Sequence, residues 1–543
     1  MAAPAVARTE VYLHSVQAAL ARDPAAQALV MVPEINLTPQ LEARFRARFA
    51  PLYGAGSVVS LHSGMTNPQR LASWLAAHSG RARIVLGTRM AVFASLPGLA
   101  LIVVDEEHGA RRYKQQEERY SARDLALWRG REQGAKVVLG SATPSLEKLA
   151  RQPPAHARGP QGGRYLRLHM PSRIGAGALP RLRLVDMAQQ PRRRGLLAAA
   201  GRHDRARGAW RAVPGATEQA RLRPGAALPR LRLEKATART AAHTEFHKTD
   251  RSLRCRLRFR AARAARLPGR CGNLDIAPWG GTEQLEEQLA ALLPQHHHPA
   301  RRTARMARID ADTARQGALE EQLAQVHAGE VDVLVGTQMV AKGHDFRRIT
   351  LVAAVQPDGA LFSSDFRAPE RLFALLMQAA GRAGRDARYM ADQASQPEMW
   401  VQTWHPDHAL FAALRRHDYP AFAAQQLGER AQAGMPPFAF QALVRADART
   451  QETAQAFLQA AGDAARATPL PGLEQVFIFP PVPLAVYVAN VERAQMLLES
   501  TSRTALQRFL AAWQPICCTP SVHGIKAWCA GWWTWIHKPS DPL

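Results

Sequence analysis

The chain has 543 residues and 47% hydrophobic content, enough for roughly three or four packed domains and too apolar for a disordered polymer. Its formal net charge of +26 points to a polyanionic partner, most simply nucleic acid, although net +17 comes from residues 191–270 alone. Five irregularly spaced cysteines exclude a disulfide scaffold, and with no run near the about 20 apolar residues of a membrane span and no signal peptide, a cytoplasmic protein is expected.

Residues 9–20 space their apolar side chains as a helix does, and 28–32 read as a buried strand. The pattern repeats with a strand at 58–61, a helix near 68–77 and a strand at 82–86 that delivers Gly87-Thr88-Arg89. Strands alternating with helices predict a parallel, doubly wound sheet. Polar groups at the strand ends, among them Thr38, His62, Thr88 and Arg89, either line a nucleic-acid track or cap the helices that follow. The apolar run 101–104 then ends at Asp105 and Glu106, and the run 137–139 delivers Gly140-Ser141-Ala142-Thr143 to the same edge. Ligands bind at that edge of an open α/β sheet. The pairing suits a nucleotide-driven motor, in which Asp105 holds Mg²⁺, Glu106 orients the attacking water, and the Ser141 to Thr143 turn couples phosphate state to nucleic acid.

From about 190 to 270 the texture changes to Arg, Ala, Gly, Pro and Leu without a sustained period of either 2 or 3.6. A basic arm and a disordered linker both fit it. Helical spacing resumes at 283–293, and strands are predicted at 307–312, 331–335 and 351–355, the second leading into Thr337-Gln338 and Lys342-Gly343. A helix from Ala368 onward carries Gln378, Gly381, Arg382, Gly384 and Arg385 in the spacing Q-x-x-G-R-x-G-R. Its glycines let backbone approach phosphates, and Arg382 and Arg385 offer guanidinium forks to a γ-phosphate. Beyond 418 the pattern predicts a small α+β domain, with strands at 439–446, 476–479 and 485–488 and helices at 451–467 and 494–513. The tail from 515 carries Trp528, Trp532, Trp533 and Trp535, a base-stacking platform or, in an unpatterned segment, no site at all. His296 to His298 read as a solvated loop rather than a metal site.

Taken together, VVDEEH, LGSATPSLE, RIDAD, DVLVGTQMVAKGHDF and QAAGRAGR resemble the ordered motifs of superfamily 2 helicases. Their wording is similar to that of the primosomal protein N′ (PriA) family of replication restart helicases. The resemblance covers residues 9–186, 245–255, 271–279 and 283–513. It implies an α/β fold with two RecA-like P-loop NTPase lobes, a cysteine-rich zinc module inserted in the second lobe, and a small C-terminal α+β domain. It also implies ATP and Mg²⁺ between the lobes, 3′-to-5′ movement on single-stranded and forked DNA, and a monomer that works with other primosome proteins and single-stranded DNA-binding protein. Carried onto this chain, the catalytic residues are Asp105, Glu106, Arg382 and Arg385, and the nucleotide contacts are Arg8, Thr9, Asp105, Gly343, Gln378 and Gly381. Coupling to nucleic acid falls to Thr88, Arg89, Ser141, Thr143, Thr337 and Gln338, and the zinc positions are Cys255 and Cys271.

The chain departs from that pattern in three places. The family's N-terminal DNA-binding domains are expected to have no counterpart. A phosphate loop G-x-x-x-x-G-K-[ST] aligned on Thr9 puts Arg8 at the lysine, Ala7 at the second glycine and Ala2 at the first. The cysteine partners of Cys255 and Cys271 are replaced by Arg-rich sequence, so zinc is expected to be lost. The expected division is a truncated first lobe at 1–187, a degenerate segment at 188–275, a second lobe at 276–417, the C-terminal domain at 418–514 and an aberrant tail at 515–543. Abrupt switches of texture suggest out-of-frame translation of 190–244, 256–270 and 515–543. The resulting expectation is a DNA helicase of impaired activity, the alternative a non-catalytic DNA-binding remnant.

Overall fold

Gln-Ala-Leu-Val-Met in β1 (Gln27–Met31) is buried at every position, as a strand must be when helices cover both faces of its sheet. It pairs in parallel with β3 (Ile84–Gly87) on one side and β4 (Leu99–Val104) on the other. With β2 (Val58–Leu61) and β5 (Lys136–Leu139) the order is β2-β3-β1-β4-β5. One face packs α1 (Ala5–Arg22) and α2 (Thr38–Tyr53) through Tyr12, Val16, Phe45 and Phe49 onto Val30, Ile84 and Val103. The other seats Ala91, Val92, Ala122 and Ala126 on Leu29, Val85 and Ile102. Alternate residues of one strand thus belong to different cores. α3 (Asn67–His78) begins with a capping box, Thr66 accepting from Gln69 N while the Gln69 side chain accepts from Thr66 N.

A computed structural model describes residues 5–33, 38–109, 120–150, 165–166, 168, 179–189, 215–217, 244–247, 252–255, 260–262, 285–287, 289, 305–309, 319–337, 346, 348–355, 357–361, 365–392, 396–483, 492–517 and 528–535. The chain divides into two units, one from Met1–Ala220 with Thr282–Gln425, the other from Arg221–Gly281 with Gln426–Lys538. Continuing along it, the strands are β6 (Arg181–Asp186), β7 (Gly215–Thr217), β8 (Thr244–His247), β9 (Ser252–Cys255), β10 (Arg260–Ala262), β11 (Met306–Ile309), β12 (Val333–Thr337), β13 (Leu351–Ala354) and β14 (Glu398–Thr403). The first unit's second sheet has the order β11-β12-β7-β13-β14-β6, again parallel throughout.

Two expectations change here. Residues 181–186, assigned by sequence to the first lobe, pair along their whole length with β14 in the second sheet. The reason is local: β14 is buried at all six positions and needs a neighbour on that side, and Arg183 of β6 donates to Glu398 of β14 at 2.7 Å. Gly215–Thr217, inside the Arg-rich stretch that reads as a basic arm or a disordered linker, lies between β12 and β13. The remainder of 190–243 lies outside the described residues.

The second unit holds an antiparallel meander, β8-β9-β10, with Cys255 at the end of β9. It also holds a sheet of β15 (Phe440–Ala448), β16 (Phe477–Ile478), β17 (Val482–Pro483), β18 (Glu492–Ser500) and β19 (Trp528–Trp535), in the order β16-β18-β15-β19 with β17 on β18. Helices Gln451–Ala467 and Arg503–Cys517 cover one face, where Phe457, Phe509 and Trp513 are fully buried. The single helix expected over 494–513 is instead β18 followed by the 503–517 helix. Glu-Arg-Ala-Gln-Met-Leu-Leu-Glu-Ser is rich in helix formers, but Ala494, Met496, Leu498 and Ser500 are buried in alternation, and nine pairs with β15 outweigh local propensity. The strand expected at 485–488 falls outside the described residues. The tail, expected to be aberrant beyond 514, supplies β19, antiparallel to β15.

If β18 is a strand, Leu498→Ala should lower stability by about 2–5 kcal/mol in urea unfolding of the full chain, and Leu497→Ala on the opposite face by clearly less. A second test lies in α4 (Ala122–Glu132), whose Ser121 cap accepts from Asp124 N at 3.3 Å. Burial opposes ionisation of Asp124, yet Arg123, Lys148 and Ser121 hold its carboxyl below the ordinary range. Such a group contributes stability above its unfolded-state pKa and loses it as pH falls through its folded one. Asp124→Asn should therefore cost about 3 kcal/mol near neutral pH, with the difference from the parent chain shrinking on acidification below about pH 4.

Candidate functional site

β4 ends at Val104 and the chain turns at once through Asp105, Glu106, Glu107 and His108. Three backbone bonds stitch this turn to its neighbours: Asp105 N to Met31 O at 2.9 Å, Glu107 N to Gly140 O at 3.0 Å, and Gly140 N to Val104 O at 2.9 Å. The carboxylates therefore stand at the C-terminal ends of β1, β4 and β5, where parallel strands converge. Glu106 takes φ 51°, a left-handed conformation that costs a residue with a side chain about 1–3 kcal/mol and is held here by the backbone bonds on either side of it. Gly140 has no alternative, since a Cβ there would lie 1.6 Å from the Tyr12 hydroxyl.

α1 presents Arg8 and Tyr12, one turn apart, to this pair. Tyr12 Oη donates to Asp105 Oδ1 at 2.7 Å, Arg8 Nη2 donates to Glu106 Oε1, and Arg8 Nε lies 3.9 Å from Asp105 Oδ1. Arg8 is 7% exposed, and its Nη1 is buried with no hydrogen-bond partner among the described residues. Burial would discharge it, but the Glu106 and Asp105 carboxylates outweigh that and hold the guanidinium more firmly protonated than usual. Asp105 moves up, because burial exceeds the attraction of Arg8 and the Glu106 charge adds to it. Tyr12 also moves up, through burial and then the adjacent Asp105.

The other oxygen of Glu106 belongs to the second sheet's helix Ala368–Ala380: Gln378 Nε2 donates to Glu106 Oε2 at 2.6 Å. Gln378 Nε2 is also 3.1 Å from His108 Nε2, and His108 Nδ1 is 2.7 Å from Ser141 Oγ. One tautomer satisfies both contacts, with Nε2 accepting from the amide and Nδ1–H donating to the serine. Ser141 Oγ in turn accepts from Thr143 N at 3.0 Å. Glu107 faces inward, accepting from Ser145 N at 2.6 Å, Ser145 Oγ at 3.0 Å and Arg123 Nη1 at 3.2 Å. Beyond it, Leu146 N donates to Glu370 at 3.0 Å, Arg367 donates to Glu147 at 2.7 Å, and Tyr419 Oη donates to Pro144 O. The turn after β5 is thereby fastened to the second sheet's layer at three points.

Of the residues singled out by sequence, Arg8, Asp105, Glu106, Gln378 and Ser141 come together. Thr9 follows Arg8 in α1. Thr88 is buried after β3 and precedes the short helix Arg89–Phe93, so both sit at the same sheet edge. Thr143 is buried, and its hydroxyl has no partner among the described residues. Gly381 ends the Ala368–Ala380 helix and accepts from Arg385 Nε at 3.0 Å, while Arg382 is buried in the turn that follows. Thr337 ends β12, and Gln338, Gly343 and Cys271 lie outside the described residues. Tyr12, Glu107, His108, Ser145 and Glu370 acquire roles that sequence reasoning did not assign. Glu107, His108 and Ser145 stand within the quoted VVDEEH and LGSATPSLE motifs, and Tyr12 carried the signal of its spacing of four from Arg8.

Asp105 and Glu106 supply the hard oxygens a divalent cation takes, but the Arg8 guanidinium already bonds Glu106 and lies 3.9 Å from Asp105. Ala5 to Ala7, at the end of the aligned phosphate loop, are helical and leave no glycine-built cradle. As arranged, these residues do not fit a magnesium-bound nucleotide. Cys255 ends β9, and among the described residues no three His, Cys, Asp or Glu side chains gather as metal ligands.

Three family profiles match: DEAD/DEAH box helicase over residues 8–151, helicase conserved C-terminal domain over 282–387, and primosomal protein N C-terminal domain over 431–524. The two parallel sheets are accordingly the two RecA-like lobes of a superfamily 2 fold. Among curated proteins, replication restart protein PriA of Haemophilus influenzae is 38% identical over 93% of this chain and 66% of its own length. The protein of that name from Bacillus subtilis is 33% identical over 80% of this chain and 51% of its own length. Among solved structures, the DNA-bound DUF1998 helicase MrfA is 14% identical with a TM-score of 0.42, covering 78% of this chain and 46% of that one, too distant to bear on function. The chain thus spans between about half and about two thirds of the first two relatives. PriA of Treponema pallidum is 32% identical over 92% of this chain and 71% of its own length, and on that match the chain belongs to the replication restart protein PriA family.

Proposed function

We propose that this chain is a helicase-type DNA motor of replication restart whose ATP turnover is weak or absent. The observation that supports a motor is the double hold on Glu106, Arg8 from α1 on one oxygen and Gln378 from the second lobe on the other. A residue placed to orient an attacking water in one lobe is thereby in hydrogen-bond contact with the other, as nucleotide-driven lobe closure requires. Arg382 and Arg385, in the turn after the helix that carries Gln378, take the role of arginine fingers. Thr88, Arg89, Ser141, Thr143, Thr337 and Gln338 form the side that couples to DNA. His108 links the two functions, since it contacts both Ser141 and Gln378.

The same cleft supports weak turnover. Lysine at a phosphate loop is a compact ammonium that swings onto the β and γ phosphates; the planar fork of Arg8 is committed to Glu106 and cannot substitute for it. The partners on this reading are single-stranded and forked DNA, other primosome proteins and single-stranded DNA-binding protein, for a cytoplasmic monomer. No described helix is long and apolar enough to cross a membrane. A non-catalytic DNA-binding remnant is the second reading, favoured by the same Arg8 contact.

Steady-state ATP hydrolysis with single-stranded DNA should match that of a Glu106→Gln variant, while DNA binding persists and weakens with salt. A clear DNA-stimulated excess over that control would show full turnover and overturn the reading of impairment; loss of DNA binding as well would overturn the motor. The purified chain should also lack stoichiometric zinc, because Cys255 and Cys271 alone do not make a four-ligand site. About one tightly held zinc per chain, lost in Cys255→Ala, is the contrary result.

A further inference from the structure

The Asp105–Glu106 pair stands where this fold family takes a divalent cation, yet the chain itself delivers a cation there. Arg8 Nη2 bonds Glu106 Oε1, and Nε lies 3.9 Å from Asp105 Oδ1. Two further contacts fix the arrangement. Tyr12 Oη, one turn along α1, holds the same Asp105 Oδ1 at 2.7 Å, and Gln378 holds the remaining Glu106 oxygen at 2.6 Å. Arg8 is 7% exposed, and its Nη1 is buried with no hydrogen-bond partner among the described residues. A guanidinium left partly unsatisfied in a buried site stays only because the carboxylates opposite need its charge.

We propose that Arg8 is a tethered counter-ion that occupies the divalent-cation position of this cleft, so that the Asp105–Glu106 pair does not take up Mg²⁺ while Arg8 is present. A divalent ion binds carboxylate oxygens at about 2.1 Å, which would set it against the guanidinium on the same oxygens. Withdrawal is obstructed because the side chain springs from a helix already formed at Ala5, and its neighbour on that helix face, Tyr12, is bonded into the pair. A lysine at this position reaches the carboxylates with one ammonium, which a metal displaces by turning it aside. The arginine fork bonds Glu106 through Nη2 with its Nε 3.9 Å from Asp105, and it has to be moved as a plate. The inference deepens the proposed reading of the cleft. Its test uses the metal alone, so it can fail while a DNA-stimulated ATPase test stands, and the reverse.

The full chain, without nucleotide or DNA, is titrated with Mn²⁺ while free metal is followed by electron paramagnetic resonance, and its thermal unfolding is recorded with and without Mg²⁺. The parent chain should bind no more Mn²⁺ than Asp105→Asn, and its unfolding temperature should not respond to Mg²⁺. Arg8→Ala and Arg8→Gln should each gain one saturable site, at least about tenfold tighter than any in the parent, and should be stabilised by Mg²⁺ as mass action requires. Adding Asp105→Asn to Arg8→Gln should remove both effects. The proposal is overturned if the parent holds one Mn²⁺ that Asp105→Asn loses, or if the folded Arg8 variants gain no site. Should neither Arg8 variant fold, the comparison of the parent with Asp105→Asn still decides it.

Discussion

Glu106 is held from both lobes at once, and the rest of the cleft depends on how it is shared. One oxygen is taken by Arg8 of α1 and the other by Gln378 of the second lobe. The backbone turns through φ 51° at this residue, a conformation held in place by the bonds of Asp105 N to β1 and Glu107 N to the turn after β5. Any change in what Arg8 or Gln378 does is therefore felt at the other. Linkage of this kind needs no long pathway, because a single side chain bridges the lobes.

The neighbouring residue shows how one step of backbone separates two jobs. Glu107 points away from the cleft and is almost fully buried, where Ser145 and Arg123 satisfy its oxygens. A buried carboxylate left unpaired would be strongly destabilising, and with Arg123 already claimed in part by Asp124 the three groups form a closed set. Its bonds to Ser145 hold the turn after β5, and the residues around Ser145 make the fastenings to Glu370, Arg367 and Tyr419. The acidic turn thus has a side built on Glu106 that faces Arg8 and Gln378 and a structural side built on Glu107, with His108 returning to the former.

Much of this was legible before any coordinates. Strands buried on both faces advertise themselves as apolar runs, so β1, β3 and β4 were placed by their composition, the half-buried edge strand β5 by its Val-Val-Leu run, Asp105 and Glu106 by the motif at the end of β4, and Gln378 by the motif on its helix. Where local preference and tertiary pairing disagree, the sequence misleads. β18 is written in helix-forming residues and is a strand because β15 and two short strands claim its backbone on both sides. β7 and β19 lie in stretches with no readable period, and backbone pairing gives them places in sheets regardless of side chains.

The sequence by itself determined the fold class, the order of the lobes and the identity of the acidic and arginine motifs, because those depend on burial periodicity and on residues adjacent in the chain. It also raised the expectation that Arg8 stands at the phosphate-loop lysine position. What Arg8 does there was decided only by tertiary structure, since Arg8 and Glu106 are separated by 98 positions and Glu106 and Gln378 by 272. The same holds for Tyr12 on Asp105 and for β6, whose membership of the second sheet follows from its pairing with β14. Local pattern reports which face of an element is buried. It carries no information on which distant charge will be found opposite.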